Sequence, residues 1–150
     1  FYPEVALIQL AAAGQCWLLD PLTLDDTQPL QKLFRQTDLI KILHSASEDL
    51  EVFERWLGVL PRPMIDTQKA AAMLGLGFGL SYRDLVHDLL SIDVAKDETQ
   101  SDWLVRPLTD AQCHYAMQDV TFLAQCWPIL EARAEASGIY PGFLRKVPQW

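Results

Sequence analysis

Basic side chains are scarce in this 150-residue chain: 12 Lys and Arg stand against 20 Asp and Glu, for a net charge of −8. That argues against nucleic-acid binding through a broad basic surface, because such binding depends on many cations neutralising phosphates. Cysteine is sparse too. Cys16, Cys113 and Cys126 are odd in number and lack Cys-x-x-Cys spacing, so they read as free, mostly buried thiols of a reducing compartment. No apolar run approaches the ~18 residues of a membrane span. No signal peptide is visible either, so a cytoplasmic, monomeric chain without a membrane partner is expected. Gly75, Gly77 and Gly79 do not directly follow a strand, so they mark a loop and not a phosphate-binding turn. Also missing are internal repeats, low-complexity segments and any Ser/His/Asp or Cys/His arrangement for nucleophilic catalysis.

Apolar residues, by contrast, make up 50% of the chain, enough for the core of one globular domain. Val5 to Leu10 and Cys16 to Leu19 have strand character and flank Gly14, which predicts antiparallel neighbours. A short helix is expected around Leu30, Leu33 and Phe34, then a buried strand over Leu39–Leu43. Ser45 and Glu48 have capping-box spacing, so the next helix should begin near Ser45 and close at Gly58. Met64-Ile65 reads as a brief strand, with Asp66 as N-cap of a helix through Ala70–Leu74. Ser81 to Leu90 forms another helix, and Ser91 to Ser101 a long polar loop carrying Lys96. Thr109 and Gln112 make a second capping box, and Pro128 should kink or break the helix it opens.

Two carboxylates stand out against this pattern. On the helix after Ser45, Ala46, Leu50, Phe53, Trp56 and Leu57 form the apolar stripe. Of the acids there, only Asp49 is flanked by Ala46, Phe53 and Trp56, whereas Glu48, Glu51 and Glu54 fall outside or beside the stripe. On the helix after Thr109, Asp119 lies near the middle of the apolar half, with Tyr115 one turn before it on the same face. A buried carboxylate requires a cation, a hydrogen-bond network or a metal opposite it. Two of them suit divalent cations, which take hard oxygen ligands. His44 precedes a helix start and reads as a hydrogen-bonded or substrate-contacting histidine, not a metal ligand; His87 and His114 should face solvent.

His44-x4-Asp49-Leu50 followed by Tyr115-x3-Asp119-Val120 resembles the second and third motifs of the ribonuclease D family, DEDD 3′–5′ exonucleases of the Tyr subgroup. Tyr2-Pro3, Leu7-Ile8-Gln9-Leu10, Ile65-Asp66-Thr67-Gln68 and Asp102–Thr109 resemble it in the same order, so the likeness runs from about Phe1 to about Gly138. The family's first motif, Asp-x-Glu on a strand, is expected just ahead of Phe1. Residues 1–150 are then expected to form a single partial exonuclease domain, with any following helical RNA-binding domain not included.

The resemblance implies an α/β fold, a ribonuclease H-like mixed sheet flanked by helices and lacking its first strand here. It implies two divalent metal ions, Mg²⁺ or Mn²⁺, held by Asp49 and Asp119, with Tyr115 orienting the attacking water. The expected substrates are RNA 3′ ends, such as tRNA precursors. His44, Lys96 and Arg106 are the candidate substrate contacts, although Arg106 could pair with an acid and Lys96 could be a solvated surface residue. Trp103 fits a core anchor better than a base-stacking platform. An inactive nucleic-acid-binding or scaffolding relic of the same fold, and a DNA 3′–5′ exonuclease, are the alternatives.

Overall fold

The computed structural model describes residues 7–94 and 102–139. Strands β1 (Ile8–Ala12) and β2 (Gln15–Leu19) form an antiparallel hairpin in register Ile8↔Leu19 to Ala12↔Gln15. Ala13 and Gly14 turn it with φ of 51° and 77°; two left-handed residues in succession match the twist of a tight hairpin. The strand runs from Ile8 on through Ala11 and Ala12; Val5, where the sequence placed its start, lies outside the described residues. Helix α1 (Gln28–Arg35) has proline in its first turn and buries Leu30 and Phe34. Strand β3 (Lys41–Leu43) is shorter than the apolar run suggested and pairs in parallel with β4 (Met64–Asp66). Between them lies α2 (Ser47–Leu57), closed by Gly58 at φ 70°.

The architecture is α/β with both antiparallel and parallel pairings. Among the described residues the strands are hydrogen-bonded as two separate pairs, β1-β2 and β3-β4, instead of one continuous sheet. Helices α3 (Thr67–Met73) and α4 (Tyr82–Leu90) pack with the long α5 (Asp110–Ala136) around Ile65, Leu85, Leu130 and Ala134. The expected helix at Ser81 to Leu90 is present, with the Ser81 side chain accepting from Asp84 N–H. Both partners of the Thr109–Gln112 capping box are formed.

Two local expectations fail. Ser45 is not a helix cap: its φ of 56° is left-handed, and the N-cap is Ala46, whose side chain can accept nothing. The amides of Ser45 and Ala46, just ahead of the helix, are taken by a carboxylate from another element. Asp66, at the end of β4, accepts from Ser45 N–H through Oδ1 and from Ala46 N–H through Oδ2, both at 2.9 Å. The same Oδ1 accepts from Gln68 N–H at 2.9 Å, so Asp66 is the N-cap of α3 that the sequence suggested. Of the kink or break expected at Pro128, the break is absent: α5 is continuous through it. Pro128 and Ala124 both lie on the exposed side, where water can solvate the carbonyl that loses its helical partner. Trp127, Leu130 and Ala134, buried on the other side, hold the helix together.

Asp66 is itself buried, so deleting its carboxylate strands three amides at once. Asp66→Ala should cost about 3 kcal/mol, seen in urea denaturation as a lower midpoint with an unchanged slope. Ser45→Ala should stay within about 0.5 kcal/mol of the parent. Equal losses in the two variants would return the capping role to Ser45.

Candidate active site

Helix α5 carries the first part of the site because its capping box fixes where the helix starts, and hence which residues face the fold. Asp119 is half-buried on it, as its place in the apolar half implied. Desolvation raises its pKa from 3.8 to about 6. Among the described residues no Lys, Arg or His forms a salt bridge with it. Its hydrogen-bond donor is neutral: Gln9 Nε2 on β1 donates to Asp119 Oδ2 at 3.4 Å. Tyr115 is half-buried, and its phenol is raised by desolvation first and by the charge of Asp119 second, with Arg83 acting in the opposite sense. It is therefore a neutral hydroxyl at pH 7. Trp103 is half-buried with its ring 6.0 Å from that of Tyr115, which suits an anchor for the loop before α5.

Asp49 lies in the first turn of α2, where the two amides held by Asp66 fix the start of the helix. Its side chain is exposed, not enclosed by Ala46, Phe53 and Trp56 as the helical phase suggested. Enough protein surrounds the carboxyl that desolvation still raises its pKa, with the charges of Glu48 and Asp66 adding to the rise. Asp49 is thus exposed to solvent while its carboxyl still feels the surrounding protein.

His44 joins these parts. Its Nε2 lies 2.8 Å from the Leu80 carbonyl oxygen, which can only accept, so Nε2 carries a proton. Nδ1 lies 2.8 Å from Thr67 Oγ1, whose hydroxyl donates to the Leu43 carbonyl at 3.1 Å, and burial lowers the His44 pKa. Both ring nitrogens are thus engaged within the protein. The Tyr82 ring is 6.0 Å from His44, and its hydroxyl donates to the Gln118 carbonyl at 2.6 Å, beside Asp119. Arg106 is engaged with an acid: Nε and Nη2 grip Asp20 at 2.7 and 2.9 Å, and Nη1 donates to the Trp103 carbonyl at 2.6 Å. Lys96 lies outside the described residues. His87 and His114 are exposed, and all three cysteines are free.

Gln9 and Tyr82 are the contacts that sequence reasoning missed. Gln9 had a signal, being the one polar side chain in the run Val5–Ala13. Tyr82 had none, because its partner is a backbone carbonyl. Each of Asp49 and Asp119 is a carboxylate of the kind a hard divalent cation takes, and among the described residues neither forms a salt bridge. They are not a complete set. Among the described residues no group of three or more His, Cys, Asp or Glu is assembled to hold a metal. None of the described helices is long and apolar enough to cross a membrane.

Comparison with known proteins fixes the class. The 3′–5′ exonuclease family profile matches residues 1–135, and the chain belongs to that family. Within the family its likeness is to ribonuclease D. It is 49% identical over 133 residues to ribonuclease D of Pseudomonas paraeruginosa, covering 89% of this chain and 35% of that one. The crystal structure of Escherichia coli RNase D, described as an exoribonuclease involved in structured RNA processing, superposes with a TM-score of 0.90 at 41% identity. That match covers 96% of this chain and 38% of that one. Brucella melitensis NrnC bound to pGG matches with a TM-score of 0.77 at 26% identity, over 89% of this chain and 66% of that one. The chain thus spans little more than a third of the ribonucleases D it matches.

The uncompensated Asp119 has a consequence in metal-free buffer. Its folded pKa of about 6 lies above the value of 3.8, so the folded state binds more protons between those limits. Stability contributed by protonated Asp119 is therefore present below pH 4 and lost as the pH rises through about 6. Asp119→Asn should match the parent at pH 4 and exceed it at pH 7.5 by on the order of 2 kcal/mol in the presence of chelator. Thermal denaturation at the two pH values checks this; a variant less stable than the parent at pH 7.5 would show that Asp119 has a cationic partner.

Proposed function

We propose that this chain is the catalytic domain of a metal-dependent exoribonuclease that removes nucleotides from RNA 3′ ends, structured RNAs such as tRNA precursors among them. The observation that carries the reading is Asp119: a half-buried carboxylate without a salt-bridge partner among the described residues, one helical turn from a neutral phenol, in a chain of the 3′–5′ exonuclease family. The likeness to ribonuclease D supports RNA as substrate. In this reading Asp49 and Asp119 hold divalent ions, Mg²⁺ or Mn²⁺, and two further carboxylates come from an Asp-x-Glu outside residues 1–150. A pair of such ions supplies an activated water and neutralises charge on the phosphoryl oxygens.

The protein groups then divide the remaining work. Tyr115 donates its hydroxyl to orient the attacking water; it does not remove the proton, since its raised pKa keeps it a neutral phenol at pH 7. Asp49, exposed in the first turn of α2, would hold an ion by its carboxylate. His44 acts by holding the α2 start, β4 and the loop at Leu80 together, and Arg106 by fixing the loop ahead of α5 to Asp20. Lys96 remains a candidate for contact with substrate phosphate.

The test uses the parent protein and a 5′-labelled RNA. Stepwise shortening from the 3′ end should require Mg²⁺ or Mn²⁺ and stop with chelator. Tyr115→Phe should lower kcat by roughly 10²-fold while thermal stability and metal affinity barely move. Asp119→Asn should abolish both activity and metal binding, whereas Glu51→Gln, exposed on α2, should do neither. Trimming by Tyr115→Phe at the parent rate would reduce Tyr115 to a packing residue, and a chelator-resistant activity would remove the metal from the mechanism.

A further inference from the structure

Gln9 interrupts an apolar strand. Its neighbours Ile8 and Leu10 are buried and half-buried, and it sits opposite Leu18 in the hairpin register, on the strand that packs along α5. A half-buried amide in such a place needs a partner. Its partner lies 110 residues away in sequence: the carboxylate of Asp119, 3.4 Å from Nε2. A carboxylate can only accept, so the amide NH₂ must face it and the amide orientation is settled by chemistry.

We propose that Gln9 is a positioning residue for the metal-binding carboxylate: it holds Asp119 by Oδ2 and leaves Oδ1 and the full negative charge available to a divalent cation. The inference rests on the reading of Asp119 as a metal ligand. Residue type is central to it. Lys or Arg at this position would hold the carboxylate more tightly but would neutralise it, and so compete with the ion. Leu or Val would fit the strand yet leave the carboxylate free to rotate. A neutral amide fixes the rotamer without spending the charge. A carboxylate offers about four lone-pair directions, so one donor leaves the others open. Donors behind metal ligands commonly act this way, and their loss weakens binding without abolishing it.

The test measures Mn²⁺ binding by calorimetry in the full-length protein, together with kcat and KM on RNA and the melting temperature in chelator. Gln9→Leu should keep the fold, weaken Mn²⁺ binding by about tenfold or more, and lower kcat while KM for RNA holds. Gln9→Lys should abolish Mn²⁺ binding because its cation occupies the site. Parental Mn²⁺ affinity in Gln9→Leu, alongside lost affinity in Asp119→Asn, overturns the role of Gln9 and leaves the metal site standing. Parental affinity in both overturns the metal site and this inference with it. Should Gln9→Leu fail to fold, Gln9→Glu decides. Two apposed carboxylates should lower the melting temperature in chelator and make the rise on adding Mn²⁺ larger than the parent's; a rise no larger than the parent's overturns the proposal.

Discussion

One buried carboxylate holds the local geometry together. Asp66 accepts amide protons from Ser45, Ala46 and Gln68, and so fixes the starts of two helices to the end of one strand. A helix begins with amides that have no intrahelical partner, and a buried helix start needs acceptors from elsewhere. Here one side chain serves two of them. That is why α2 can start immediately after β3 through a left-handed serine, and why Asp49 emerges in its first turn at a fixed orientation. His44 reinforces the junction through Thr67 and the Leu80 carbonyl.

The other carboxylate is placed by different means. Asp119 lies well inside α5, beyond the reach of the helix terminus, and the helix is positioned by its contacts on both sides of it. Tyr82 fastens the turn at Gln118 from α4, and Gln9 reaches it from β1. Farther along, Trp127, Leu130 and Ala134 bury the second half of the helix in the core. Asp119 sits mid-helix in a half-buried setting, and Asp49 sits in an exposed first turn.

Much of this was legible in the sequence, and the failures share a cause. The Thr109–Gln112 cap, the Asp66 cap, the Gly58 stop and the phase of Tyr115 and Asp119 depend on residues within one or two turns of each other, where periodicity and capping rules act. Ser45 and Glu48 satisfied the same local rule and still lost, because Asp66 holds the Ser45 and Ala46 amides and the chain enters α2 with Ser45 left-handed and Ala46 at the N-cap. Pro128 failed as a breaker because tertiary burial outweighed a local penalty on the exposed face. Arg106 was readable as a cation in want of an anion, but only the folded chain brings Asp20 to it across 86 residues. Asp49 looked enclosed because a helical wheel shows which face a residue shares and not how deeply that face is covered.

The continuity of α5 also governs how this sequence can change length. One helix carries the site residues Tyr115 and Asp119 and, farther along, the core anchors from Trp127 to Ala134. Removing a single residue between Asp119 and Trp127 would turn one group against the other by about 100°, because each helical residue advances the face by that angle. Either the core would lose its anchors or Asp119 would swing away from Gln9. Insertions and deletions are therefore barred from this segment by geometry, whatever residues they contain. The glycine-bearing turn between α3 and α4 faces no such penalty, since lengthening a loop costs only a slowly growing closure entropy. Length variation among relatives should collect there, while α5 changes by substitution alone.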